Sequence, residues 1–174
     1  MKAPFLHCSY IGWSLSTLSC FAPVLSDTEI MEQIQLGNQV ITFDREQTIK
    51  AYSALQGGDA ERCGCAPCLN FAAQRKSAYP ENFCSLLDQL GIDFEKEGEV
   101  FEYGPEGELH LYGGWFYFVG EIITMGERLT EDPASGFQYW FADAKRLPKP
   151  AGDFGDKIIA VEFVTKVPWI LAKR

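Results

Sequence analysis

The chain has no stretch of 18 or more uninterrupted apolar residues, so no membrane span is read from it. Basic residues are few, 15 Lys and Arg against 24 Asp and Glu, for a net charge of −9. A sequence-independent grip on nucleic acid needs cations to replace counterions, and so does docking to an anionic membrane. Both partner classes are excluded on that ground. Histidine is scarce, with His7 and His110 alone. No Walker loop, Rossmann glycine pattern, Gly-x-Ser-x-Gly elbow or EF-hand order of ligands occurs. No internal repeat or low-complexity tract is present. Cysteine is missing from residues 85–174, whereas a secreted disulfide scaffold is usually shorter and spreads its cysteines over the whole chain. These absences leave a soluble acidic protein whose chemistry has few places to sit.

What is there suffices for one domain. The length is 174 residues, hydrophobic residues make up 47% and aromatics 14%, so a sizeable core can form. Residues 1–30 are read as an N-terminal extension, disordered or a weak signal-like segment. Its basic region is only Lys2, its apolar run is broken by Ser9, Ser14, Ser16 and Ser19, and Thr17 stands where a lipoprotein box before Cys20 wants Leu. Residues 31–174 are read as a single α+β domain. A cytoplasmic location is expected, or export if residues 1–26 act as a signal.

Within that domain, Ile34 to Phe43 reads as two short strands about Gly37-Asn38. Asp44 and Gln47 form a capping box for a helix over residues 45–56. The cysteine loop follows, and then a helix over residues 69–76. Phe83, Leu86, Leu87 and Leu90 recur at i, i+3, i+4 and i+7 after Pro80, the stripe of a helix facing a core. After Asp93 the pattern turns to strands. Leu109 and Leu111 alternate with His110. Gly113-Gly114 is expected to interrupt the sheet, and Trp115–Val119 to form a central strand covered on both faces. Phe137–Phe141 and 157–164 are further strands, with residues 144–156 a loop. Pro168 leaves Trp169–Leu171 at best an edge strand. Helices early and strands late give the α+β class, an antiparallel β-sheet with helices packed on one face.

The candidate chemistry centres on Cys63-Gly-Cys65-Ala-Pro-Cys68. Thiolates are good zinc ligands, and a tight turn can present two or three of them to one tetrahedral ion. The candidate metal set is Cys63, Cys65, Cys68 and Cys84, with His110 as an alternative fourth ligand. Alternatively, Cys65-Ala-Pro-Cys68 is a dithiol at a helix start, where free N–H groups stabilise a thiolate. A third possibility makes Cys65 or Cys68 a nucleophile with His110 as its base. The carboxylates Asp93, Glu95, Glu97, Glu99, Glu102, Glu106 and Glu108 read as a solvated rim. The aromatics, Trp115, Phe116, Tyr117, Phe118, Tyr139, Trp140, Phe141 and Trp169, read as core rather than a ligand groove.

Cys63-Gly-Cys65-Ala-Pro-Cys68-Leu-Asn70-Phe71, His110-Leu-Tyr-Gly-Gly-Trp-Phe-Tyr-Phe-Val-Gly120 and the ending Val167-Pro-Trp169-Ile-Leu171 together resemble a bacterial protein family of unknown function. The resemblance spans about residues 33–172. It implies no activity, only that the three stretches belong to one domain. The expectation from the sequence is a small acidic binding or interaction protein. Its Cys-rich loop acts as a structural metal clip, with zinc as the ion, or as a redox-sensitive element. Its partner is another protein met by the acidic surface. The alternative is a cysteine-dependent enzyme using Cys65, Cys68 and His110.

Overall fold

Strand β4, Leu109–Thr124, is the element on which the others register. In the computed structural model, which describes residues 31–127 and 130–172, β4 runs unbroken through Gly113-Gly114. The N-terminal segment read above as an extension or signal lies outside the described residues. The two glycines are close-packing positions rather than an interruption. A Cβ on Gly114 would stand 2.6 Å from the Glu99 carbonyl oxygen and from the Phe163 ring, and one on Gly113 would stand 2.9 Å from Tyr103.

The sheet has seven antiparallel strands. The others are β1 Glu32–Leu36, β2 Gln39–Phe43, β3 Glu99–Glu106, β5 Thr130–Asp132, β6 Phe137–Asp143 and β7 Ile158–Pro168. Their order is β1-β2-β4-β7-β6-β5, with β3 paired to β4 as well. One edge of β4 is therefore shared. β3 pairs with its first half and β2 with its last residues, while β7 covers the whole of the other edge from Leu109 to Val119. The gap between β3 and β2 is closed by other groups. Gly98 N–H donates to the Trp115 carbonyl at 2.8 Å, the Tyr52 hydroxyl to the Tyr117 carbonyl at 2.8 Å, and Asp44 N–H to the Val119 carbonyl at 2.9 Å. These bonds pair the Trp115, Tyr117 and Val119 carbonyls, as a dry sheet interior requires. The sheet curls enough for Gln39 of β2 to reach β6. Its amide donates to the Phe141 carbonyl and accepts from the Phe141 N–H, both at 2.9 Å.

Helix α1, Arg45–Ser53, starts at Asp44, whose carboxylate accepts from Gln47 N–H at 2.8 Å. The expected capping box is only half made. The Gln47 side chain donates to the Asp44 carboxylate instead of reaching the cap amide, because that amide is already spent on Val119. Helix α2, Asp59–Cys63, occupies part of what the sequence presents as loop. The helix expected over residues 69–76 begins earlier and breaks in two, α3 Ala66–Ala72 and α4 Arg75–Ala78. Helix α5, Glu81–Gln89, follows Pro80 and buries Phe83, Leu86 and Leu87. Helices α3 to α5 cover one face of the sheet. Phe71, Tyr79 and Phe83 meet Phe116, Phe137, Tyr139 and Phe163 there, with ring centroids 4.7 to 6.3 Å apart. Aromatic pairs at such spacing add to the burial energy. The α+β class is thus as the sequence indicates. Residues 169–172, beyond β7, form no strand.

Candidate metal centre and the groove beside it

The cysteine loop is a corner between two short helices. Helix α2 ends at Cys63, and Gly64 turns the chain with φ 63°, a left-handed conformation suited to glycine. Cys65 then caps α3, and Cys68 lies in its first turn. This corner brings the Cys63, Cys65 and Cys68 sulfur atoms within 4.8 Å of one another. Cys63 and Cys65 are exposed, whereas Cys68 is 4% exposed and directs its thiol to the Val100 carbonyl at 3.5 Å.

The environments differ accordingly. The Cys68 backbone amide holds the Cys65 thiol below its ordinary pKa, outweighing a small burial penalty. Burial pushes the Cys68 thiol well up, and the two neighbouring sulfurs add to that. The other two expected ligands stand elsewhere. Cys84, on α5, packs against the core with its thiol toward the Tyr79 carbonyl at 3.9 Å. His110 pairs through Nδ1 with Glu102, diagonally across a bulge between β3 and β4. Among the described residues no fourth Cys, His, Asp or Glu joins the three sulfurs. Among the described residues no hydrogen bond joins His110 to a thiol; its Nδ1 is engaged by Glu102.

His110 and the cysteine loop nonetheless face one groove of about 850 Å³. It is lined by Gly64, Ala66 and Leu69 on one side, by Glu102 and His110, and by Trp169, Leu171 and Ala172. Trp169 lies against the imidazole, ring centroids 5.0 Å apart. This corrects the reading of Trp169 as core. The tail is held in place by Asn70, fully buried two residues after Cys68. The Asn70 amide donates to the Pro168 carbonyl at 3.1 Å and accepts from Ile170 N–H at 2.8 Å, and Gln74 adds a bond to Pro168 at 2.8 Å. The Cys-loop, His110 and Pro-Trp stretches of the sequence therefore meet at this groove.

Replacing Asn70 with alanine is expected to free this tail at a stability cost of about 1–2 kcal/mol. Gln74 still satisfies Pro168 and the Tyr112 hydroxyl, which also accepts from Asn70, keeps its bond to Pro67, so the Ile170 amide is the group left without a partner. Tryptophan emission should shift to the red as Trp169 loses its place. An unshifted spectrum would show that the clamp does not hold the groove wall.

Two carboxylates depart from the solvated rim expected of the acidic run. Glu102 is the His110 partner, missed because only the β3–β4 register brings them together. Glu97 is 2% exposed and receives Arg75 through two bonds, at 2.5 and 2.9 Å, and the Tyr79 hydroxyl at 3.0 Å. Arg75 turns its other face to Glu61 of α2, at 2.8 and 3.0 Å. Burial raises the Glu97 pKa despite Arg75, while the Arg75 hydrogen bonds lower that of Glu61. The Glu97 carbonyl also accepts from Asp59 N–H at 3.0 Å. Both ties fix α2, and with it Cys63, against the leader of β3.

Among the described residues no helix is long and apolar enough to cross a membrane. No family model, curated protein or solved structure matches the chain.

Proposed function

We propose that the chain is a small acidic binding protein whose cysteine loop holds a zinc ion through Cys63, Cys65 and Cys68. One observation carries the reading: the three sulfur atoms lie within 4.8 Å of one another. Tetrahedral zinc with bonds of ~2.3 Å sets its sulfur ligands roughly 3.8 Å apart, so a small contraction suffices. Thiolates are soft donors, which favours zinc over magnesium or calcium. A reducing cytoplasm would keep these thiols free for the ion, and the net charge of −9 suits a basic protein partner.

The full chain, made in a reducing cytosol, is expected to carry about one zinc per molecule by elemental analysis, with chelation lowering its melting temperature. Cys65→Ser and Cys68→Ser should each lose most of the metal, and Cys84→Ser should keep it. Protein that is metal-free as isolated and stays so after zinc titration would overturn the reading.

A second reading is supported by the contrast between an exposed Cys65 with a lowered pKa and a buried Cys68 with a raised one. That is the asymmetry of a dithiol in which one thiol attacks and the other resolves. It requires the same metal-free protein, with Cys65 alkylated well ahead of Cys68.

A further inference from the structure

Three thiolates leave a tetrahedral ion one ligand short. Closed structural zinc sites have four protein ligands, whereas sites that meet an outside molecule keep one position open. Among the described residues the fourth donor is missing, and Cys84 and His110 are engaged elsewhere. An ion held there would be reachable from solvent, since two of its three ligands are exposed. Cys63 and Cys65 are exposed, and the groove begins at Gly64 and Ala66, the residues on either side of Cys65.

The chemistry of the fourth ligand follows from charge. A dication with three thiolates carries one net negative charge. The groove lining holds Glu102 and neither Lys nor Arg, and the chain as a whole is at −9. An anionic fourth ligand would add to that repulsion, and a neutral one would not. Thiolate or imidazole can join three thiolates on zinc, and of the two only neutral imidazole adds no charge. The groove has apolar walls in Leu69, Trp169 and Leu171. Its rim is open, with Leu69 44% exposed. Small-molecule sites bury most of their ligand, so an open, apolar-walled groove suits a polypeptide segment better.

We infer that the cysteine loop and this groove form a docking site for a partner protein that supplies a neutral histidine as the fourth ligand of the ion. The apolar residues flanking that histidine lie against Leu69, Trp169 and Leu171. The inference rests on the metal reading above.

The test uses the full chain loaded with cobalt(II), whose visible absorption reports its ligands. The probes are imidazole, a capped pentapeptide with one histidine between leucines, and its counterparts with alanine or cysteine in place of the histidine. The histidine peptide is expected to shift the cobalt bands at a concentration about tenfold or more below that needed for imidazole, the gain a few apolar contacts supply. The alanine peptide should do nothing. Trp169→Ala and Leu171→Ala should each shrink the advantage of the peptide while leaving the response to free imidazole intact, which also shows that the variants remain folded. Bands that no imidazole shifts would mean that the chain fills the position itself. Equal potency of peptide and imidazole would remove the groove from the site, and a stronger cysteine peptide would refute the charge argument. Each of these overturns the inference while leaving the metal site standing. An absence of cobalt bands would instead sink the metal reading.

Discussion

Arg75→Ala is expected to cost about 3–5 kcal/mol, the penalty for leaving one charge of a buried pair without its partner. Glu97 is the stranded group, 2% exposed, with the Tyr79 hydroxyl still donating to it but, among the described residues, no cation left paired with it. Against a typical domain stability of about 5–15 kcal/mol, that loss should be plain in urea unfolding at pH 7. The deficit should narrow as pH falls. Glu97 already has a folded pKa above its ordinary value, and losing Arg75 drives it higher. A carboxyl with a raised folded pKa binds its proton more readily folded than unfolded, so stability is gained as pH falls through that pKa. Glu61 works the other way in the wild type. Its lowered pKa contributes stability above the unfolded carboxylate value, lost as pH falls through the folded one. The variant has no such contribution to lose. A deficit that stays constant or widens between pH 7.5 and 5 would show that Glu97 is not the stranded charge. Because Glu61 sits on α2 with Cys63, the proposed metal reading adds that zinc affinity falls with the same substitution.

Gln39→Leu is expected to cost about 2–5 kcal/mol, since it orphans a buried N–H and a buried carbonyl of Phe141 together. The primary amide is the group that fits, donating to one and accepting from the other. Gln39→Glu keeps an acceptor for the N–H but sets an oxygen against the Phe141 carbonyl, so it should not rescue. Urea midpoints together with hydrogen exchange at the Phe141 amide provide the check. A loss under 0.5 kcal/mol, within the range of ordinary surface substitutions, would mean that water replaces Gln39 and the curl of the sheet does not depend on it.

Local signals in the sequence were legible where one element settles its own state. The α5 stripe is written at helical spacing and buries Phe83, Leu86 and Leu87 as that spacing requires. Trp115 to Val119 reads as a doubly covered strand, and all five residues are buried. The readings fail where a distant neighbour decides. Gly113-Gly114 looks like a break, yet the glycines are there because Phe163, Phe101 and Tyr103 crowd that stretch of β4. Asp59–Cys63 has too few residues to declare a helix, and is held as one by the ties of its first residue, Asp59, to Glu97 and Val100. In the site, the three clustered cysteines are close because they are close in sequence. The separation of Cys84, the pairing of Glu102 with His110 and the reach of Asn70 to the tail all depend on register and crossing, which no local pattern encodes.

Strand β7 is the last of the described strands, yet it lies between β4 and β6 and pairs with β4 from Leu109 to Val119. During synthesis the open edge of β4 and the rings around Phe116 therefore wait for a segment that leaves the ribosome some forty residues later. Until then neither β6 nor the α3–α5 layer has Phe163 to close upon. Unpaired strand edges and exposed aromatic surface of this kind draw aggregation, so the nascent chain stays vulnerable until β7 has emerged. Long-range pairing also slows folding. Yield in the cell should thus respond to chaperone supply and translation rate more than the stability of the finished fold would suggest.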